Sequence, residues 1–329
     1  MRRRLAAALQ RAWYGDARWL MPLAPLGWIT ALIAAYRLSR HLARRVEPAV
    51  PVVVVGNITV GGTGKTPLVC ELARRAREKG LRVVIISRGY GARPPRHPWQ
   101  VRPDGTPAES GDEPLFLARR TGVPVIIDPD RRRALDYAVE RHAPELVISD
   151  DGLQHFRLPR SVEIAVLDGE RGLGNGRCIP AGPLREPRAR LDQVDYIVVN
   201  GGTGQWPGAF SMELVPQDPV RLDSGESVAM AEFVRRFPRV HAVAGIGNPE
   251  RFFAALHRAG LQVEARAFAD HHVFREQDLD FPGSDPVVMT EKDAVKCEAH
   301  ALSRYWYIPV EAHLSEDFVR ELFSRIGDQ

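Results

Sequence analysis

The chain has 329 residues, 44% hydrophobic and 26% charged, with no low-complexity tract. That length suits two α/β units of roughly 100–200 residues, and the composition excludes a disordered, collagenous or multi-span membrane protein. Lys+Arg 45 against Asp+Glu 41 leaves a formal net charge of +4, too small a surplus to call for a nucleic-acid partner, and nothing in the composition implies a protein partner.

The three cysteines, Cys70, Cys178 and Cys297, lie far apart with no Cys-x-x-Cys pair. Neither a disulfide framework nor a zinc site is expected, and a reducing compartment fits. Only Lys65, Lys79, Lys292 and Lys296 are lysines; every other basic side chain is arginine.

Met1–Arg4 is an arginine cluster, and Leu5, Leu9, Ala12 and Trp13 follow at helical spacing with Arg11 off the stripe, which predicts an amphipathic helix. No charge interrupts the apolar run from Trp19 to Tyr36, and Arg37, Arg40, Arg44 and Arg45 come after it. The run is near the lower limit of about 17–25 residues for a spanning helix, and Pro22, Pro25 and Gly27 are expected to break its first third. We therefore expect it to lie in the interface of a membrane rather than to cross it, with Trp19 and Trp28 at the headgroups and the arginines on anionic lipid. A signal peptide is disfavoured because no small-residue cleavage pattern follows. The other alternative is a helix packed on its own domain.

Pro51–Val55 reads as a β-branched strand. It runs into Gly56-Asn57-Ile58-Thr59-Val60-Gly61-Gly62-Thr63-Gly64-Lys65-Thr66-Pro67, and a helical stretch Leu68–Lys79 follows. Strand, glycine loop and helix in that order make a P-loop, in which backbone N–H groups converge on phosphate, the helix N-terminus adds partial positive charge and Lys65 supplies a point charge. Thr59, Val60, Gly61, Gly62, Thr63, Gly64, Lys65 and Thr66 are the candidate nucleotide-binding residues, with the Thr66 hydroxyl on Mg²⁺. Thr59 stands where the general pattern has its first glycine, and Gly61 and Gly62 are expected to supply the flexibility instead. Such a loop calls for a metal-binding acid at the end of a neighbouring strand. Asp150 and Asp151, after Leu146–Ser149, provide it.

Taken with Ser87-Arg88-Gly89-Tyr90-Gly91, Gly111-Asp112-Glu113-Pro114, Asp150-Asp151-Gly152-Leu153-Gln154-His155 and Pro180-Ala181-Gly182-Pro183-Leu184-Arg185-Glu186, the P-loop resembles the motifs of the bacterial tetraacyldisaccharide 4'-kinase family, in that family's order. Gly245-Ile246-Gly247-Asn248-Pro249, Asp270-His271-His272 and Thr290-Glu291-Lys292-Asp293 extend the match nearly to the C-terminus. The family's own loop is similar to this one at Thr59. The resemblance implies a kinase that uses ATP and Mg²⁺ to phosphorylate the 4'-hydroxyl of a tetraacylated glucosamine disaccharide 1-phosphate, the lipid A precursor, at the cytoplasmic face of the inner membrane. The N-terminal reading agrees, because an acceptor held by acyl chains must be met at the bilayer surface. The same loop and anchor also suit a membrane-associated P-loop ATPase or GTPase switch, with water as acceptor.

The resemblance places the catalytic base at Asp112. His271 is its expected partner, orienting the carboxylate and holding part of the proton charge. Glu113 is expected toward magnesium or its waters, and Arg185 is expected to clamp the transferring phosphate. Arg88 and Tyr90 stay open between substrate contact and a glycine turn, as do Gln154 and His155 between ligand positioning and capping. His272 is expected to face away from His271. Thr290–Asp293 lacks the Asn-Lys-x-Asp tetrad that reads guanine. Gly245–Pro249 lacks the third glycine of a dinucleotide fingerprint and reads as a strand-to-helix turn with Asn248 as cap.

Strand-like runs at Pro51–Val55, Val83–Ile86, Val123–Ile127, Leu146–Ser149, Ile164–Leu167 and Tyr196–Val199 alternate with helical stretches, which predicts a doubly wound parallel sheet of the P-loop NTPase kind over 48–205. Val240–Ala244, the helix Pro249–Ala259, Gln262–Ala267 and Pro286–Met289 predict a smaller α/β domain over 206–329, with Phe210–Val215 and Trp306–Val310 as linking strands. Residues 1–47 are expected to form the membrane-associated segment. With Asp112 in one unit and His271 in the other, the site is expected in the cleft between them, closing around ATP.

Overall fold

Strand β1 (Val52–Gly56) is buried along its whole length because its valines alternate between two layers, Val53 and Val55 facing one core and Val52 and Val54 the other. It is the centre of a computed structural model that describes Leu9 and residues 11–15, 18–43, 46–202, 206–298 and 302–327. Met1–Arg4, Leu5, Arg44 and Arg45 lie outside the described residues.

The sheet around β1 is completed by β2 (Val83–Ser87), β3 (Trp99–Gln100), β4 (Val125–Ile127), β5 (Leu146–Asp150), β6 (Val162–Asp168), β7 (Tyr196–Asn200), β8 (Phe210–Pro216) and a late strand, Val310–Leu314. Its order is the late strand, β8, β7, β6, β1, β5, β2, β4, β3, parallel except for the two outermost strands. Helices Lys65–Glu78, Asp112–Thr121 and Glu316–Gly327 cover one face, and Arg131–His142 packs on the other, so the sheet is doubly wound as expected.

A second sheet contains β9 (Val220–Arg221), β10 (Arg239–Ala244), β11 (Gln262–Ala267), β12 (Val287–Thr290) and β13 (Tyr305–Ile308), in the order β11-β10-β12-β13-β9. Its helix Pro249–Arg258 presents Phe252, Phe253 and Leu256 to a core shared with Phe233 and Trp306. The late strand of the first sheet is β14. The single strand expected at Trp306–Val310 is therefore two, in different sheets. Pro309 separates them; it has no N–H to continue a ladder, and its carbonyl accepts from Gln217 N at 2.8 Å. The chain crosses from the first sheet to the second at 216–220 and returns at 308–310. Sheet membership thus cuts across the expected boundary at 205/206: β8, β14 and the last helix belong to the P-loop unit. Sheet membership depends on hydrogen-bonded neighbours distant in sequence, which local periodicity does not carry.

Near the N-terminus the α-helix Ala24–Leu42 is continuous, about 28 Å long at 1.5 Å per residue. The expected break falls at its start, the first third of the apolar run lying in a separate 3₁₀ segment. Pro22 lies in the preceding 3₁₀ turn Arg18–Leu23, and Pro25 falls in the helix's first turn, where a missing N–H costs nothing. Gly27 touches the carbonyl of Cys178, Leu38 is buried, and the His41 ring lies 5.5 Å from that of Phe156. The helix is thus laid along its own protein at both ends, while Trp28, Ile29, Leu32, Ile33 and Tyr36 point outward and are exposed. Upstream, Ala12 is buried and Trp13 Nε1 donates to Pro180 O at 3.0 Å, so these two side chains face protein.

Candidate active site

The P-loop is pinned from three sides. Asn57 Nδ2 donates to Gly61 O at 3.2 Å, Asn200 Nδ2 to Thr63 O at 3.0 Å, and Val60 N to Pro183 O at 2.8 Å. Gly64 caps the helix Lys65–Glu78 at φ 96°, a conformation side chains avoid, and a Cβ there would also strike the Asn200 amide. Thr59 is buried and bridged to Leu184, so the loop's first half is fixed by the segment that carries Arg185. Pro67 is tolerated in the helix's first turn.

Register Val55↔Asp150 puts the acidic pair beside the start of the loop. Asp150 is buried, and among the described residues its Oδ1 has no hydrogen-bond partner. Burial, then the charges of Glu113 and Asp151, push its carboxyl up to about 7 against Lys65 and Arg131. Asp151, at φ 48°, lies 3.5 Å from Lys65 Nζ and 3.3 Å from Arg185 NH1. Burial opposes its ionisation, but those two cations bring it down to about 2. An orphaned buried carboxylate oxygen among further acids fits a hard divalent cation. Among the described residues no three of His, Cys, Asp and Glu form a metal cage.

Glu113, expected toward magnesium, accepts from Lys292 Nζ at 2.8 Å through one oxygen and acts on Asp150 through its charge. Gln154 is a bracket: its Nε2 donates to Asn57 O at 3.0 Å and Glu186 Oε1 at 2.6 Å, and its Oε1 accepts from Arg185 at 3.5 Å. Arg131, which carried no signal in the sequence, is buried beneath the acids with NH2 3.4 Å from Asp150 O; burial draws it down to about 10.

Asp112 opens the helix Asp112–Thr121 after Gly111 at φ 84°. His271, itself at φ 58°, reaches it from the second unit with Nδ1 3.0 Å from both carboxylate oxygens. The Tyr90 ring lies 5.1 Å from the imidazole and is exposed. Burial disfavours the Asp112 anion, yet the hydrogen bond from His271 and the charges of Lys292 and Lys296 outweigh it and hold the carboxyl well below its usual range. The hydrogen bond to Asp112 in turn lifts His271 above the ordinary imidazole value, against burial. His272 faces away as expected, stacked on Phe268 with Nε2 3.0 Å from Asp278.

Asn248 occupies the N-cap position but does not cap. Its side chain donates to Asp168 at 3.0 Å and accepts from Arg171 at 2.7 Å, while Arg251 NH2 reaches Asp168 at 2.8 Å. These contacts seat Gly247 against Gly62 of the P-loop, where a Cβ on Gly247 would strike the Gly62 backbone. This cluster was invisible in the sequence because Asp168 is 80 residues from Asn248.

A family profile described as tetraacyldisaccharide-1-P 4'-kinase, LpxK, matches residues 17–327. The chain is 49% identical to a tetraacyldisaccharide 4'-kinase of Alcanivorax borkumensis, covering 98% of each, and 45% identical to one of Legionella pneumophila, covering 96% of each. Among solved structures it is similar to LpxK from Aquifex aeolicus in complex with ATP, with TM-score 0.75 and 26% identity over 93% of this chain and 99% of that one.

Proposed function

The chain belongs to the tetraacyldisaccharide-1-P 4'-kinase family and is an ATP-dependent lipid A kinase, and from that premise we propose how its cleft performs the transfer. The observation that carries the reading is the Asp112–His271 pair, formed between two units next to the P-loop and its acids. The Asp112–His271 pair takes the proton of the acceptor 4'-hydroxyl as its oxygen bonds to the γ-phosphorus; the bond to the bridging oxygen breaks and its electron pair leaves on ADP. Asp112 is the base, and Nδ1 of His271, bound to it, shares the proton charge. Main-chain amides from Gly61 to Gly64, the N-terminus of the helix Lys65–Glu78 and Lys65 hold the triphosphate, while the Val60 amide is taken by Pro183 O. Arg185, aimed by Asp151 and Gln154, balances charge that develops on the transferring group.

Thr66, Asp150 and Asp151 would hold Mg²⁺, which when bound neutralises phosphate charge. Glu113 completes the acidic surroundings while paired with Lys292.

The helix Ala24–Leu42 sits in one leaflet with its outer face in lipid. A helix fastened to its own protein at Gly27 and His41 cannot stand across a bilayer, and the five outward side chains are worth about 6 kcal/mol of apolar burial. The working units are then the lipid-facing segment, the P-loop unit 48–216 with 310–327, and the second unit 217–309.

The test is radiolabel transfer from γ-labelled ATP to the tetraacyldisaccharide 1-phosphate. Lys65→Ala, Asp112→Ala and His271→Ala should each lower kcat by about two orders of magnitude or more. Full turnover in Asp112→Ala would remove the acceptor assignment, and hydrolysis without lipid labelling would favour the ATPase reading.

A further inference from the structure

Three of the four lysines in this arginine-rich chain sit in or beside the cleft. Lys65 belongs to the P-loop; Lys292 and Lys296 extend from the short helix Glu291–Cys297 of the second unit toward Asp112 and Glu113 of the first. Lys296 Nζ is buried, 2.6 Å from Asp293 Oδ1, 3.9 Å from Asp112 Oδ2 and 5.1 Å from the Phe274 ring centre. Among the described residues none of its N–H groups has an aligned acceptor. Asp293 is fully buried, and its other oxygen accepts from Gly245 N at 2.9 Å and Thr290 Oγ1 at 2.7 Å. Gly245 opens the loop whose Gly247 rests on Gly62. One ammonium therefore stands between the proposed base and an aspartate that fixes the loop seated on the P-loop.

We propose that Lys296 is a positioning residue for phosphoryl transfer, fixing Asp112 toward His271 and tying that orientation to the seating of the Gly245–Asn248 loop on the P-loop. The inference rests on the reading of Asp112 and His271 as proton acceptor. A compact ammonium with rotatable donors fits between two carboxylates and a ring face, where the planar fork of arginine has no matching plane. Moving from 3.9 Å to charge-assisted hydrogen-bond range is a shift of about 1 Å, within reach of one unit settling on the other. Lys292 works in parallel. Its Nζ lies 2.8 Å from Glu113 and 3.3 Å from Asp270, the sequence neighbours of Asp112 and His271, so a second cation stands close to the acceptor pair.

The experiment is a kinetic double-mutant cycle on the full chain with magnesium-ATP and detergent-dispersed tetraacyldisaccharide 1-phosphate. Its variants are Lys296→Met, Lys296→Arg, Asp112→Asn and the double Lys296→Met/Asp112→Asn, with Lys79→Met as control. Lys296→Met should lower kcat about 100-fold with KM for ATP little changed, Lys296→Arg should recover only part of that, and Lys79→Met should match the parent. The double variant should be no slower than Asp112→Asn alone, because the lysine acts through that carboxylate. Losses that multiply in the double variant, or full kcat in Lys296→Arg, overturn the proposal. Should Lys296→Met fail to fold, Lys296→Gln carries the same cycle. Full turnover in Asp112→Asn would instead strike the acceptor assignment, whatever Lys296→Met does.

Discussion

Replacing Trp28 and Leu32 together by serine should release the protein from membranes and leave its fold intact. Both side chains are about 70% exposed and point away from the protein. Full burial of such a side chain is worth roughly 1.5–3 kcal/mol, so each has about 1.5–2 kcal/mol still to gain in lipid and the pair about 3–4 kcal/mol. At 1.4 kcal/mol per decade, the double variant should partition to vesicles about 100-fold to 1000-fold more weakly. Thermal stability should shift by no more than about 0.5 kcal/mol, as expected of exposed positions. Cosedimentation with phosphatidylethanolamine–phosphatidylglycerol vesicles measures the first quantity, and calorimetry of the metal-free protein the second. Partition close to the parent's would refute the one-leaflet reading. A large fall in melting temperature would mean that these side chains pack against protein.

In Gly64→Ala, a Cβ forced to φ 96° against the Asn200 amide should lower stability by about 1–3 kcal/mol and ATP affinity at least about tenfold by titration calorimetry; an unchanged Kd would clear the loop of that role. Asp150 has its carboxyl raised in the folded state, so ionisation destabilises the fold as pH rises from 3.8 through about 7. Asp150→Asn in EDTA should therefore melt higher than the parent at pH 8 while losing turnover, and a lower melting point would contradict the buried charge. For the acceptor pair the signs differ. His271 is raised above 6.5, so its stabilisation is complete below that pH and is lost as pH climbs through its folded value; Asp112 is depressed, so its share is present above 3.8 and lost on acidification through its folded value. His271→Asn should flatten the fall of melting temperature above pH 6.5, and an unaltered slope would show that the pair does not titrate as described.

The sequence was most legible where structure is local. Val52–Val55, the glycine loop and the helix after it form a contiguous unit whose order alone indicates a phosphate site. Asp112 and His271 are 159 residues apart and meet only because two sheets pack; family resemblance, not spacing, singled them out. Pro25 shows the limit of a rule about proline: it marks a helix's first turn as readily as a break, and only the position of the preceding turn decides which. Asn248 shows the same for capping, since a side chain in the cap position can be claimed by Asp168 from another unit. Lys296 was visible as a residue type but not as a role, because Asp112, one of the groups it faces, lies far back in the chain.

The return of the chain at 308–310 has a consequence for folding. Residues 217–309 hold every strand of their own sheet, whereas the nucleotide-binding half is incomplete without the edge strand Val310–Leu314 and the helix bearing Phe318, Leu322 and Phe323. The earlier half of the polypeptide thus depends on its last residues, and the later half does not. A chain truncated after Pro309 should carry a protease-resistant distal unit and a proximal one that is still digestible.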